Sequence, residues 1–125
     1  YGTDDFPAFY SRTSGLKVPM RCNTAQEVAK LMKTKWDMAM PGGLIIANPI
    51  NAEFEIPSEM IRPAIDAAIR EAEEKKITGK RVTPFLLGRI AEITQGKSVR
   101  ANLALVLNNA KLASEIAVAY AALQK

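Results

Sequence analysis

The sequence contains no histidine and one cysteine, Cys22, in 125 residues. Without histidine, Ser-His-Asp and Cys-His nucleophilic catalysis, histidine-ligated zinc and an imidazole general base are excluded within this chain. A lone cysteine forms neither an internal disulfide nor a Cys-rich zinc site, and it points to a reducing, intracellular setting, with the cytoplasm as the expected location. No apolar run approaches the roughly twenty residues of a membrane span. Nothing near Tyr1 combines a basic stretch with an apolar run as a signal peptide does, so no membrane partner is expected.

Charge of one sign is also scarce. Residues 1–62 carry seven basic and seven acidic side chains, and residues 63–125 carry ten and six, which accounts for the net +4. The basic residues of the second half sit among acids, as in Arg70-Glu71 and Glu73-Glu74-Lys75-Lys76, and its only aromatics are Phe85 and Tyr120. A nucleic-acid polymer calls for a one-sided basic patch, with stacking aromatics if the strand is single, so none is expected as a partner.

What is present is globular. The composition is 48% hydrophobic and 24% charged, and a chain of this size can bury roughly two-thirds of the surface it exposes when unfolded. Phe6, Ala8 and Tyr10 alternate in a way that allows a short strand. Leu16, Val18, Met20 and Cys22 alternate against Lys17, Pro19 and Arg21, which predicts an edge strand, since Pro19 cannot donate to a central ladder. Asn23 or Thr24 opens a helix, with Glu27 three residues beyond Thr24 as in a capping box. Its apolar face is Ala25, Val28, Ala29, Met32 and Trp36, and Pro41-Gly42-Gly43 is expected to end it. Leu44-Ile45-Ile46-Ala47 reads as a strand buried on both faces, closed by Asn48-Pro49.

A second helix is expected from Ser58 to about Lys76, burying Ile61, Ile65, Ala68, Ile69 and Ala72. Pro63 leaves two readings open: one helix that loses a backbone bond, or a separate first turn with Pro63 starting the main helix. Thr83 as N-cap and Pro84 at the first position start a third helix ending at Gly96, in which Gly88 suggests a close backbone contact. Ser98 is expected to cap the last helix, about 98–123, which is apolar nearly all round. The buried strand and this helix both call for surface that the chain does not itself provide, as part of a larger α/β protein would.

The last helix carries Asn102 and Asn109, seven apart and nearly in line. Asparagine is unfavourable inside a helix, so the amides either face a polar ligand or bond to nearby loop carbonyls. Asn48 follows the expected strand, where α/β sheets place ligands, and it is equally a turn initiator before Pro49. Ser11-Arg12-Thr13-Ser14 offers hydroxyls and a guanidinium to an anion, or forms a solvated turn. Thr78-Gly79-Lys80-Arg81 lacks the spacing of a phosphate loop. Asp4 and Asp5, and Glu53 and Glu55, are too few carboxylates for a metal. No lysine stands out as a nucleophile, and the methionines and Trp36 fit core packing.

Four segments together resemble, in order and spacing, the carboxyl-terminal part of the pseudouridine-5'-phosphate glycosidases, the indigoidine synthase A-like family. They are Phe6-Pro7-Ala8-Phe9-Tyr10-Ser11-Arg12-Thr13-Ser14, Gly42-Gly43-Leu44-Ile45-Ile46-Ala47-Asn48-Pro49-Ile50, Thr83-Pro84-Phe85-Leu86-Leu87, and Asn102 through Leu112-Ala113-Ser114-Glu115-Ile116-Ala117. The resemblance covers nearly the whole chain, and departures such as Tyr10 and Cys22 fall where packing is expected.

The resemblance implies reversible cleavage of the C–C glycosidic bond of pseudouridine 5'-phosphate to uracil and ribose 5-phosphate. It implies a lysine imine with the ring-opened ribose, a glutamate for proton transfer and a divalent metal, typically Mn2+. Those groups belong to family segments upstream of Tyr1, so no catalytic residue or metal ligand is assigned here. Asn102 matches a family asparagine that lines the substrate pocket, while Asn109, Asn48, Arg12 and Thr13 are supporting candidates. The implied fold is α/β: a three-layer α/β/α body with a mixed sheet, commonly a homotrimer. Residues 1–125 are then the carboxyl-terminal part of one domain, with the upstream part of the same protein and a phosphorylated nucleoside as partners. Two other readings stand beside it: a C-glycosynthase relative using another acceptor, and a non-catalytic binding or assembly module on the same scaffold.

Overall fold

A computed structural model describes residues 1–124. Four helices account for most of them: α1 (Ala25–Asp37), α2 (Ser58–Glu74), α3 (Val82–Ile93) and α4 (Lys97–Ala122). Short 3-10 turns at Ala52–Phe54 and Gly79–Arg81 precede α2 and α3. α4 is the spine. Its first half packs in a cluster with Tyr10, Ile50, Ile61, Ala68 and Ile90, through Ala101 and Leu105. Its second half packs in another with Cys22, Ala25 and Val28, through Leu112 and Ile116.

The start of α1 follows its capping chemistry. The Thr24 hydroxyl accepts from the Glu27 N–H at 3.1 Å, and the Glu27 carboxylate accepts from the Asn23 N–H at 2.6 Å, which satisfies two donors that a helix start leaves free. α1 ends before Pro41, at Asp37, where Ala39 turns left-handed (φ 52°). Trp36 is exposed rather than part of the buried face, with the Lys35 ammonium 5.2 Å from its ring.

α2 runs unbroken through Pro63. Pro63 is exposed, so water can serve the carbonyl its missing N–H would have bonded. α2 buries Ile61, Ala64, Ala68 and Ala72, leaving Ile65 half-buried and Ile69 exposed, because small alanines let α3 approach closely.

α3 begins at Val82, so Thr83 is not its cap, and Pro84 lies within the first turn, where no N–H is needed. Gly88 meets no atom that a Cβ would touch, so no close backbone contact explains it. Gly96, with φ 82°, is the left-handed residue that links α3 to α4. It takes the role expected of Ser98. Ser98 is buried inside α4, its N–H donating to the Thr94 hydroxyl at 3.2 Å.

The expected strands do not form among the described residues. Residues 16–22 run antiparallel to residues 2–6, but the only bridge is Asp5 with Lys17. The Ser14 hydroxyl accounts for this: it donates to the Phe6 carbonyl and accepts from the Leu16 N–H at 3.2 Å, taking the place of the next rung. Phe6 to Tyr10 forms no strand either. Leu44 to Ala47 has no pairing partner here, and Ile45 is 82% exposed, so this segment is neither a strand nor buried on both faces. The fragment is helix-rich, and the sheet expected of the fold class is not formed within it.

Candidate functional site

The inward row of α4 reads Ser98, Ala101, Leu105, then Leu112 and Ile116. Asn108 and Asn109 interrupt it at the point where the two apolar clusters meet. Opposite lies residues 47–50, a stretch without regular structure whose polar groups need partners if it is to stay folded down. Each of its residues has one. The Ala47 carbonyl accepts from the Tyr1 amine at 2.6 Å. The Asn48 amide donates to Asn109 Oδ1 at 3.0 Å. The Pro49 carbonyl accepts from Asn108 Nδ2 at 3.3 Å. The Ile50 carbonyl accepts from Arg12 Nη1 at 2.7 Å.

The structure therefore brings Asn48, Asn109 and Arg12 onto or against one short segment. Arg12 is further held through its backbone N–H, which donates to the Glu55 carboxylate at 2.8 Å. The other members of the Ser11–Ser14 cluster diverge. Ser11 is buried, and its hydroxyl is 2.9 Å from that of Ser58 at the start of α2. Thr13 is exposed and Ser14 turns back to Phe6.

Asn102 stands apart from this group. It is half-buried one turn beyond Ser98, and among the described residues its amide takes part in no hydrogen bond such as those of Asn108 and Asn109. Its donors and acceptor are unspent. The larger clefts lie elsewhere. One of about 680 Å³ between residues 8–11, α2 and α3 is lined mostly by apolar groups around Tyr10, Ser11 and Ser58. Another of about 820 Å³ lies between the start of α1 and the end of α4. Neither includes Asn102, so neither is a pocket built around it.

Asn108 is not singled out by the sequence reading. The signal available was the Asn-Asn doublet itself, two poor helix formers side by side in an otherwise apolar helix.

Among the described residues no group of three or more carboxylate or thiol side chains is placed to hold a metal ion. The strongest charge cluster is on the surface, where Glu71 lies 2.8 Å from Lys75 and 2.5 Å from Arg89. Their hydrogen bonds hold its carboxyl below the usual range. Tyr10 is a buried titratable group beside α4. Burial pushes its phenol above the ordinary value of 10.0, and a hydrogen bond with Ser98 partly opposes the shift. The folded state thus favours the neutral phenol. Its stabilisation is intact below the unfolded value and is lost as the pH rises through the folded one. The intact protein is expected to lose thermal stability more steeply than its Tyr10→Phe variant as the pH rises above about 10; parallel curves would remove Tyr10 from the alkaline transition.

Comparison with known proteins gives one family and a uniform set of relatives. The family model described as indigoidine synthase A like protein matches residues 1–119. A protein of Solibacter usitatus named pseudouridine-5'-phosphate glycosidase is 53% identical over 117 residues, covering 94% of this chain and 39% of the relative. One of the same name from Clostridium botulinum is 47% identical over 125 residues, covering 100% of this chain and 41% of the relative. The chain thus spans about two-fifths of the length of the curated relatives it matches, and it corresponds to their carboxyl-terminal part. A solved indigoidine synthase A-like protein of Thermotoga maritima superposes with a TM-score of 0.82 at 42% identity, over 94% of this chain and 38% of that one. The prealnumycin C-glycosynthase AlnA, solved with ribulose 5-phosphate, gives 0.85 at 27% identity, over 99% of this chain and 41% of that one.

Proposed function

Because this chain belongs to the indigoidine synthase A-like family, we propose that it is the carboxyl-terminal part of a C-glycosidase that reversibly cleaves pseudouridine 5'-phosphate to uracil and ribose 5-phosphate. The observation that carries this reading is the 53% and 47% identity, over nearly the whole chain, to relatives of that name. A C–C bond to uracil breaks only if an electron sink is available, and a lysine imine with the opened ribose provides one. That lysine, the proton-transferring glutamate and the ligands of a divalent metal such as Mn2+ are contributed by the upstream part of the protein.

This chain contributes the wall of the pocket. Asn102 presents an unspent amide to the phosphorylated nucleoside, and Asn48, Asn109, Arg12 and Thr13 are the supporting candidates. Leu44 to Ala47, which forms no strand ladder among the described residues, joins a mixed sheet supplied from upstream, completing a three-layer α/β/α domain. The assembly is a homotrimer in the cytoplasm. The alternative within the family is a C-glycosynthase with another acceptor. Its support is the shared fold of AlnA, but the lower identity of 27% favours the glycosidase. The test is the full-length protein given pseudouridine 5'-phosphate, followed by uracil release and by the reverse reaction. Release of uracil is expected. Its absence, together with formation of a C-glycoside from a different acceptor, would select the alternative.

A further inference from the structure

Resting on that reading, we infer that Asn108 is a positioning residue that sets Asn48 for its contact with substrate. Three side-chain bonds converge on residues 48–50 from far along the chain. A stretch without regular structure is otherwise free to move, and here Asn108 and Arg12 hold the two carbonyls that follow Asn48. With Pro49 and Ile50 fixed, the Asn48 side chain has its Nδ2 engaged by Asn109 at 3.0 Å and its Oδ1 left to accept from a ligand. Asn108 is half-buried, and its Nδ2 bond to Pro49 ties the segment to the rigid middle of α4. A backbone–amide bond of this kind orients without touching substrate.

The experiment is a double-mutant cycle in the full-length protein with Asn108→Ala and Asn48→Ala. Alanine is a better helix former than asparagine, so α4 itself is not weakened. Asn108→Ala is expected to raise KM for pseudouridine 5'-phosphate about fivefold to tenfold, the size of one lost hydrogen bond, with a smaller change in kcat. Hydrogen–deuterium exchange of the peptide covering residues 44–51 should become faster. In the Asn48→Ala background the further loss on Asn108→Ala should vanish. An unchanged KM in either single variant, or an equal loss in both backgrounds, overturns the proposal. So does faster exchange with unchanged KM, which would make the bond structural only. Should Asn108→Ala not fold, Asn108→Asp keeps the shape and removes the donor, and the same outcomes apply. A wild type without uracil release refutes the functional reading instead, and unchanged exchange at residues 44–51 would then still refute the clamp.

Discussion

Under the proposed function, replacing Asn102 by alanine in the intact protein is expected to lower kcat/KM for pseudouridine 5'-phosphate by roughly 5- to 150-fold, the span of a lost pocket hydrogen bond of about 1–3 kcal/mol. Three features set the expectation. The residue is half-buried within α4, so a partner can reach its amide while part of its surroundings is already protein. No neighbouring group among the described residues already occupies that amide, unlike those of Asn48, Asn108 and Asn109. And asparagine is a poor choice for a helix interior unless the amide is used. Alanine removes that cost, so the variant should fold normally and melt no earlier than the parent. Uracil release and a melting curve on the same preparation check both halves. Normal folding with unchanged kinetics would show that Asn102 has no part in binding substrate.

The largest effect on stability is expected at Ile50. Its side chain is 1% exposed and joins Tyr10, Ile61, Ile90 and Leu105 in the first core cluster. Ile50→Ala removes three carbons from a site whose backbone carbonyl is pinned by Arg12, so the neighbours have little freedom to collapse into the space. The cost is about 2–5 kcal/mol, and that of Ile50→Val about 1 kcal/mol. Against a total stability of about 5–15 kcal/mol, the first is a large share. Urea denaturation of the full-length variants reads it directly, and a loss below about 1 kcal/mol for Ile50→Ala would mean that the cluster closes over the void.

Local chemistry made part of this fold legible. Thr24 and Glu27 announce the start of α1 because a capping box acts over three residues. The 3.6-residue spacing of Ile61, Ala68 and Ala72 likewise needs nothing distant. The misread places are those where a distant group decides. Leu44 to Ala47 has the apolar content of a central strand, but a strand is defined by its neighbours, and among the described residues these have none. Ser98 has the right side chain for a cap, yet Gly96 two residues earlier reaches the left-handed conformation at lower cost. The Ser14 hydroxyl displaces a ladder rung in a way that alternation cannot foretell.

The site shows the same division. Asn102 and Asn109 are visible as polar interruptions of an apolar helix. That Asn109 meets Asn48, 61 residues away, is a fact of the tertiary fold, as is the bond between Asn108 and Pro49. Arg12 stands out in the sequence for its charge, whereas its position is fixed by two bonds, to Glu55 and Ile50, that no local pattern encodes.

The bare segment at Leu44 to Ala47 bears on how this protein must be made. Among the described residues its N–H groups and the carbonyls of Leu44 to Ile46 have no hydrogen-bond partner, and Ile45 projects into solvent, which is the template on which chains stack edge to edge. Any product consisting of these 125 residues alone would expose that edge and should self-associate as its concentration rises. A nicked or truncated copy would therefore be a substrate for proteolysis and chaperones before it was a catalyst. Expressing the two portions together, rather than mixing them after purification, is the route by which a split form would remain in solution.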